Sequence, residues 1–193
     1  MPVNLYLARH GQTQWNKVQR YQGRLDSDLT PLGKQQSVDI AKKLNHKHID
    51  LIISSPLGRA VAGAKICQQQ LAVPIIYDDG LLERDLGDWQ GQHIADIKHD
   101  DNYDEILHQF TQLSPACGES ALNCGERVYK TLKRLAERYE NSRLLVIFHG
   151  EALRCLLAKL GSISTGNAYQ LFDNGCLLQL TYTAHDNSFQ LVS

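Results

Sequence analysis

The sequence has no excess of either charge: 20 Lys and Arg stand against 21 Asp and Glu, a formal net charge of −1 over 193 residues. A surface built broadly for nucleic acid or for an anionic membrane needs a strong basic bias, so neither partner is expected. Cysteine is sparse and unpatterned. The five (Cys67, Cys117, Cys124, Cys155, Cys176) are odd in number and none is spaced Cys-x-x-Cys, which argues against a disulfide framework and a thiolate zinc site alike. No apolar run approaches bilayer-spanning length, and the N-terminus has no basic segment followed by a long apolar core. Internal repeats, low-complexity tracts and linkers are missing too. What these absences leave is a reduced, cytoplasmic, soluble protein, monomer or homodimer. Its length fits one domain over residues 1–193 with a substantial core.

What is present is a repeated alternation of strand and helix. Asn4-Leu5-Tyr6-Leu7-Ala8 is a strand-like apolar run that breaks into Arg9-His10-Gly11. Thr30-Pro31 reads as N-cap and first residue of a helix to about Leu44, with Val38, Ile40, Ala41 and Leu44 inward. Asp50 to Ser55 is a second strand, followed after Pro56 by a helix with Ala60, Ala64, Cys67 and Leu71 on its apolar face. Ile75-Ile76-Tyr77 is a third strand. Residues 93–113 are polar with scattered apolar positions and read as irregular helices of a loosely packed cap or insertion reaching about residue 120. Gly118-Glu119-Ser120 introduces a helix striped by Val128, Leu132, Leu135, Ala136 and Tyr139. Leu144 to Phe148 is apolar throughout, as a central strand covered on both faces should be. It ends at His149-Gly150, after which Leu153, Leu156, Leu157 and Leu160 mark a further helix. Residues 175–182 and 189–192 form a closing hairpin. The fold expected is α/β: one mostly parallel sheet with helices on both faces.

Four strand ends then carry Arg9-His10-Gly11, Arg59, Glu83 and His149-Gly150. In a parallel sheet these ends share one edge, where ligands bind. Two arginines and two histidines there make a local cationic pocket in a chain with no net positive charge. Arginine suits bidentate recognition of phosphoryl oxygens, and the helix starting after His149 offers free backbone N–H groups to an anion. One of the histidines has the chemistry of a nucleophile. Glu83, the single acid, stands where it could protonate a leaving oxygen. Glycine after His10 is expected to let substrate approach the backbone.

The chain resembles the histidine phosphatase (phosphoglycerate-mutase-like) superfamily. The resemblance is carried by Leu7-Ala8-Arg9-His10-Gly11-Gln12-Thr13 with Trp15-Asn16, and by Tyr21-Gln22-Gly23 with Asp26, Leu29-Thr30 and Gly33. It continues through Ser54-Ser55-Pro56-Leu57-Gly58-Arg59-Ala60, Leu82-Glu83, Gly87-Asp88-Trp89-Gln90-Gly91, Pro115, Gly118-Glu119-Ser120 and His149-Gly150. It implies a phosphoglycerate-mutase-like fold, His10 as the phosphorylated nucleophile, Arg9, Arg59 and His149 gripping the phosphoryl group, and Glu83 as general acid then base. Asn16 is implied in the same pocket, with Gln22, Gly23 and Gly150 beside the substrate. Gln12, Gly63 and Phe148 depart from the family pattern, where glutamate, threonine, and serine or threonine are common.

The activity implied is a phosphatase that hydrolyses a small phosphorylated metabolite with neither metal nor other cofactor. Two alternatives stand beside it: a cofactor-dependent phosphoglycerate mutase and a non-catalytic phosphate-sensing module. The intact set of Arg9, His10, Arg59, Glu83 and His149 speaks against the module. The phosphatase is favoured over the mutase because Glu83 is followed by Arg84-Asp85-Leu86-Gly87, whereas mutases tend to carry Arg-x-Tyr-Gly there. His46, Lys47, His48 and Asp50, and the helically spaced His93, Asp96, His99 and Asp100, read as solvated polar faces rather than metal sites. Trp15 and Trp89 flank the motifs and read as core, and Cys117 and Cys124 as passive thiols.

Overall fold

The computed structural model describes residues 2–163, 166 and 168–192. Strand β1 (Val3–Arg9) is followed by the one-turn α1 (Gln14–Lys17), α2 (Pro31–Leu44), β2 (Leu51–Ser54), α3 (Gly58–Leu71) and β3 (Ile75–Tyr77). Two short helices, α4 (Ile94–Ile97) and α5 (Tyr103–His108), precede α6 (Ala121–Arg138), β4 (Arg143–Phe148), α7 (Gly150–Lys159), α8 (Ala168–Leu171), β5 (Leu177–Thr183) and β6 (Ser188–Val192). The six strands form one sheet in the order β3-β2-β4-β1-β5-β6. The first four are parallel, and β5 and β6 close the other edge as an antiparallel hairpin.

Side-chain alternation along the central strands divides the core in two. Leu5 and Leu7 of β1 and Leu144, Val146 and Phe148 of β4 face α6 and α7, whereas Tyr6, Ala8, Leu145 and Ile147 face α2 and α3. Both faces of β4 are therefore covered, which is why its sequence is apolar throughout. Thr30 caps α2 as expected, its hydroxyl accepting from the Gly33 N–H at 3.0 Å. The inward stripe of α2 is Gly33, Ser37, Ile40, Ala41 and Leu44. Val38 is only half-buried, because Ser37 takes the inward position by donating its hydroxyl to the Gly33 carbonyl at 3.0 Å.

The region of α4 and α5 departs from the loose packing expected of it. Tyr21, Leu86, Trp89, Ile97, Tyr103, Ile106 and Leu107 form a separate apolar cluster. The Trp89 indole donates to Asp100 at 2.7 Å, and the Tyr21 and Tyr103 hydroxyls share a hydrogen bond of 2.7 Å. Helices of four and six residues are too short for apolar periodicity to register, so the sequence looks polar where the packing is tight.

Gly11 has a different use from the substrate approach expected of it. A Cβ there would fall inside the Gly33 carbonyl oxygen, and one on Gly33 would strike the Gln12 carbonyl. The loop after β1 and the first turn of α2 touch backbone to backbone. Gly11→Ala is expected to lower stability by about 1–3 kcal/mol, the usual cost of overpacking, read as a fall of about 2–4 °C in Tm per kcal/mol. An unchanged Tm would show that the two loops separate without strain.

Candidate active site

The site begins with strand register. β1 and β4 run parallel with Arg9 opposite Phe148, so the next residues, His10 and His149, leave the sheet side by side. The His10 N–H continues the ladder to the Phe148 carbonyl at 3.0 Å, and the two rings lie 5.3 Å apart edge to face. Ser54 lies opposite Ile147 on the other side of β4, which delivers Ser55 to the same place. Its hydroxyl meets His149 Nε2 at 2.7 Å. Both histidines are buried, and His149 Nδ1 has no hydrogen-bond partner among the described residues.

His10 Nδ1 lies 2.8 Å from the Gly11 carbonyl. A carbonyl only accepts, so Nδ1 carries the proton and Nε2 keeps a lone pair. Arg59 Nε–H donates to that lone pair at 3.2 Å. Burial, then the positive charges of Arg59 and Arg9, hold His10 well below the ordinary histidine value, more than offsetting its backbone bond. His149 is held well below by burial, then by Arg59 and the other neighbouring groups.

Arg59 sits in the first turn of α3, and the loop between α1 and α2 fixes its fork. Its Nη1 donates to the Leu25 carbonyl at 2.7 Å and to Asp26 at 3.0 Å, and its Nη2 to the Gly23 carbonyl at 2.7 Å. Asp26 also accepts from the Arg59 backbone N–H, at 3.2 Å to Oδ2, replacing the cap that Leu57 cannot supply. Gly58 is needed because a Cβ there would meet the Asp26 carboxylate. Arg9 is buried and donates to the Phe172 carbonyl. Gly150 lets it lie across α7, since a Cβ would stand 3.0 Å from Arg9 Nε.

Glu83 corrects one expectation. The N–H groups of Glu151 and Ala152 at the start of α7 are taken by this carboxyl, at 3.2 Å to Oε2 and 2.8 Å to Oε1. They are not left for substrate, because a buried acid at a helix N-terminus satisfies itself there. The Arg84 N–H adds 2.8 Å to Oε1. Burial nevertheless dominates, and Glu151 adds to it against Arg59 and the amides, so Glu83 stands above the usual carboxylate range.

Asn16 accepts through Oδ1 from the Thr13 N–H at 3.1 Å and from Asn174 Nδ2 at 3.1 Å. Asn174 also donates to the His10 carbonyl at 3.2 Å. This residue has no sequence signal: it lies 164 positions away, and β5 brings it back beside β1. Gln22 is buried, accepting from Ser27 at 3.0 Å. Gly23 has φ +52°, and Gln90 occupies the space a Cβ would need. Of the departures from the family pattern, Gln12 accepts from Thr30 at 2.9 Å and Phe148 is fully buried core. Gly63 faces Ser37 on α2. All five cysteines are free thiols. Trp15 is half-buried and stacks against Arg20 rather than entering the core.

An α/β sheet with a neutral histidine between two arginines at the ends of its parallel strands defines a protein that handles a compact anion. The family is given by comparison: the description "Histidine phosphatase superfamily (branch 1)" matches residues 5–193, and the chain belongs to that superfamily. It is 30% identical to "Phosphoserine phosphatase 1" of Hydrogenobacter thermophilus, covering 97% of this chain and 96% of that one. It is 33% identical to a "Probable phosphoglycerate mutase" of Shigella boydii, covering 90% and 82%. Among solved structures, mycobacterial glucosyl-3-phosphoglycerate phosphatase in complex with VO3 superposes with a TM-score of 0.84 at 29% identity, covering 98% of this chain and 96% of that one.

Both site histidines are expected to stay neutral as pH falls through the ordinary histidine value of 6.5. Protonation would need burial and the surrounding arginines overcome, so the acid limb of kcat/KM should lie below that value. NMR titration of the imidazole signals checks it, and imidazolium forms of His10 and His149 near 6.5 would overturn it.

Proposed function

We propose that this protein is a phosphomonoester phosphatase acting on a small phosphorylated metabolite through phospho-His10, without a metal ion. The observation that supports it most is the state of His10, proton on Nδ1, lone pair on Nε2, and a guanidinium donating to that nitrogen. An incoming phosphoryl group replaces the lone pair's contact with Arg59, whose fork is already oriented by Gly23, Leu25 and Asp26. Arg9, Arg59 and His149 then face the phosphoryl oxygens, with the Asn16 amide and Gly150 at the same pocket and Gln22 and Gly23 beside the rest of the substrate. Charge compensation comes from the arginines.

In the first step Nε2 forms a bond to phosphorus as the ester P–O bond breaks, and the departing alkoxide oxygen takes the Glu83 proton. In the second, Glu83, now carboxylate, removes a proton from water. The water oxygen bonds to phosphorus, the P–N bond breaks, and inorganic phosphate leaves with His10 and protonated Glu83 restored. The position of Glu83 above the usual carboxylate range supports a resting acid. Residues 93–120 are read as a cap over this edge within one domain. The five free thiols support a place in the cytoplasm; among the described residues no helix is long and apolar enough to cross a membrane. Intact-mass analysis of chelator-treated enzyme, quenched without acid, is expected to show one phosphoryl adduct, absent from His10→Ala. Turnover by His10→Ala would overturn the nucleophile.

The mutase reading has one observation in its favour. The apolar cluster of Tyr21, Trp89 and Tyr103 closes the cap more tightly than expected, and tight closure protects a phosphoenzyme from water. Against it, Leu86 stands where the mutase pattern carries tyrosine, and it is buried in that cluster, so this position offers the site no hydroxyl. Phosphorus NMR with 3-phosphoglycerate and 2,3-bisphosphoglycerate separates the two: release of inorganic phosphate is expected to outrun interconversion to 2-phosphoglycerate. The reverse, with no better hydrolytic substrate in a metabolite panel, would establish the mutase.

A further inference from the structure

Beneath the site lies a buried ionic cluster with no part in the steps above. Arg84, Glu151 and Arg154 are each at most 3% exposed. The Glu151 carboxylate accepts from Arg84 Nη1 at 3.2 Å and from Arg154 Nε and Nη2, each at 3.1 Å at its nearest. Arg84 further donates to the Glu119 carbonyl at 2.9 Å and the Ile106 carbonyl at 2.8 Å. Such a cluster costs desolvation that its internal attraction offsets only in part, and apolar residues of similar volume are commonly as stable. Its placement supplies a reason for keeping it. Arg84 and Glu151 are also the residues whose backbone N–H groups grip Glu83, at 2.8 Å to Oε1 and 3.2 Å to Oε2. The side-chain bond between them therefore ties the loop after β3 to the first turn of α7 directly behind the carboxyl.

We propose that the Arg84–Glu151–Arg154 triad is a positioning element for Glu83, locking together the two segments that hold the carboxyl and keeping a negative charge beside it. The inference rests on the reading of Glu83 as proton donor. Three charged groups face Glu83 from the elements around it: Arg59 from α3, Arg127 from α6 with Nη2 3.5 Å from the Glu83 carbonyl, and Glu151 from α7. His149 beside them is neutral. Arg127 is paired with Glu119 at 2.7 Å, which mutes its pull. Glu151 is the only anion of the three. Oε1 accepts two amides at 2.8 Å, and Oε2 a single longer one, so Oε2 is the oxygen less committed to the backbone.

The sign follows. Removing the Glu151 charge takes away the one neighbour that disfavours a Glu83 carboxylate and leaves Arg84 and Arg154 uncompensated, so the Glu83 proton is lost at lower pH. The test measures kcat/KM against pH for wild type, Glu151→Gln and Glu83→Gln on two substrates. One is a simple alkyl phosphate, whose leaving oxygen needs a proton, and the other p-nitrophenyl phosphate, whose leaving group needs little help. In Glu151→Gln the alkaline limb for the alkyl ester is expected to move about one pH unit toward acid. The loss on p-nitrophenyl phosphate should be smaller. Glu83→Gln should lose the alkyl ester selectively at pH values below the wild-type alkaline limb. Equal losses on both substrates with the limb unmoved in Glu151→Gln, while Glu83→Gln stays selective, would reduce the triad to a structural role and overturn the proposal. Equal losses in Glu83→Gln would instead remove the proton-donor reading, and the proposal with it. Should Glu151→Gln not fold, Glu151→Gln with Arg154→Met keeps the same buried net charge without a carboxylate, and a smaller limb shift in the same direction is expected of it, since only Arg84 is then left uncompensated.

Discussion

The hydrogen bond from Arg59 Nε to His10 Nε2 is the contact on which the site depends. It requires a deprotonated Nε2, which requires the other ring nitrogen to find an acceptor, and the Gly11 carbonyl provides one. It requires a guanidinium held in place, which requires the 23–26 loop to present two carbonyls and a carboxylate to its fork. The segment that carries this loop is anchored at both ends where Gly11 and Gly33 let the β1 loop and α2 meet backbone to backbone. A single donor–acceptor pair thus links strand register, a glycine contact and a long-range helix cap. Two cations beside a histidine would be an unfavourable cluster if the ring were charged. With the ring neutral, it becomes a pocket with room for an anion.

The expected sheet and its helices were legible in the residues because periodicity and burial agree over long elements. β4 has no polar residue between Leu144 and Phe148, and α6 carries a single apolar stripe, so neither left much choice. The strand-end residues were legible for a topological reason. In parallel strands, polar groups placed just past each apolar run must share an edge. Arg9, His10 and His149 meet there for that reason, and Arg59 and Glu83 are brought to the same edge by the first turn of α3 and the loop after β3. Ser55 belongs with them by the register of β2 against β4.

What the sequence hid falls into two kinds. Contacts made by backbone atoms have no residue signature, so the occupation of the α7 amides by Glu83 could not be read, nor could the use of Gly11 against Gly33. Partners brought by the antiparallel hairpin are equally silent. Asn174 lies in a stretch without motif, yet it bridges the His10 carbonyl and the Asn16 amide. Short elements failed for want of length: α4 and α5 span too few turns for their buried residues to fall into a stripe, and the cap they build looked loose. Val38 was misplaced for a subtler reason. A serine can bury itself when a helix carbonyl is at hand, and hydrophobicity alone ranks valine above it.

The α7 N-terminus shows how two electrostatic demands were reconciled at one edge. A helix start with free amides is a good anion site, and here it lies beside His149, where a phosphoryl group would also be drawn. Filling it with Glu83 removes that competition and fixes the acid by three backbone bonds without spending a side chain on it. Those bonds alone would drive the carboxyl toward its charged form. Burial and the neighbouring Glu151 act the other way, and Glu151 is tolerated so deep only because two arginines flank it. The carboxyl is therefore held rigidly by groups that favour its ionised form, while burial and Glu151 raise it above the usual carboxylate range. A carboxyl proposed to give up a proton and later take one back is served by both influences at once.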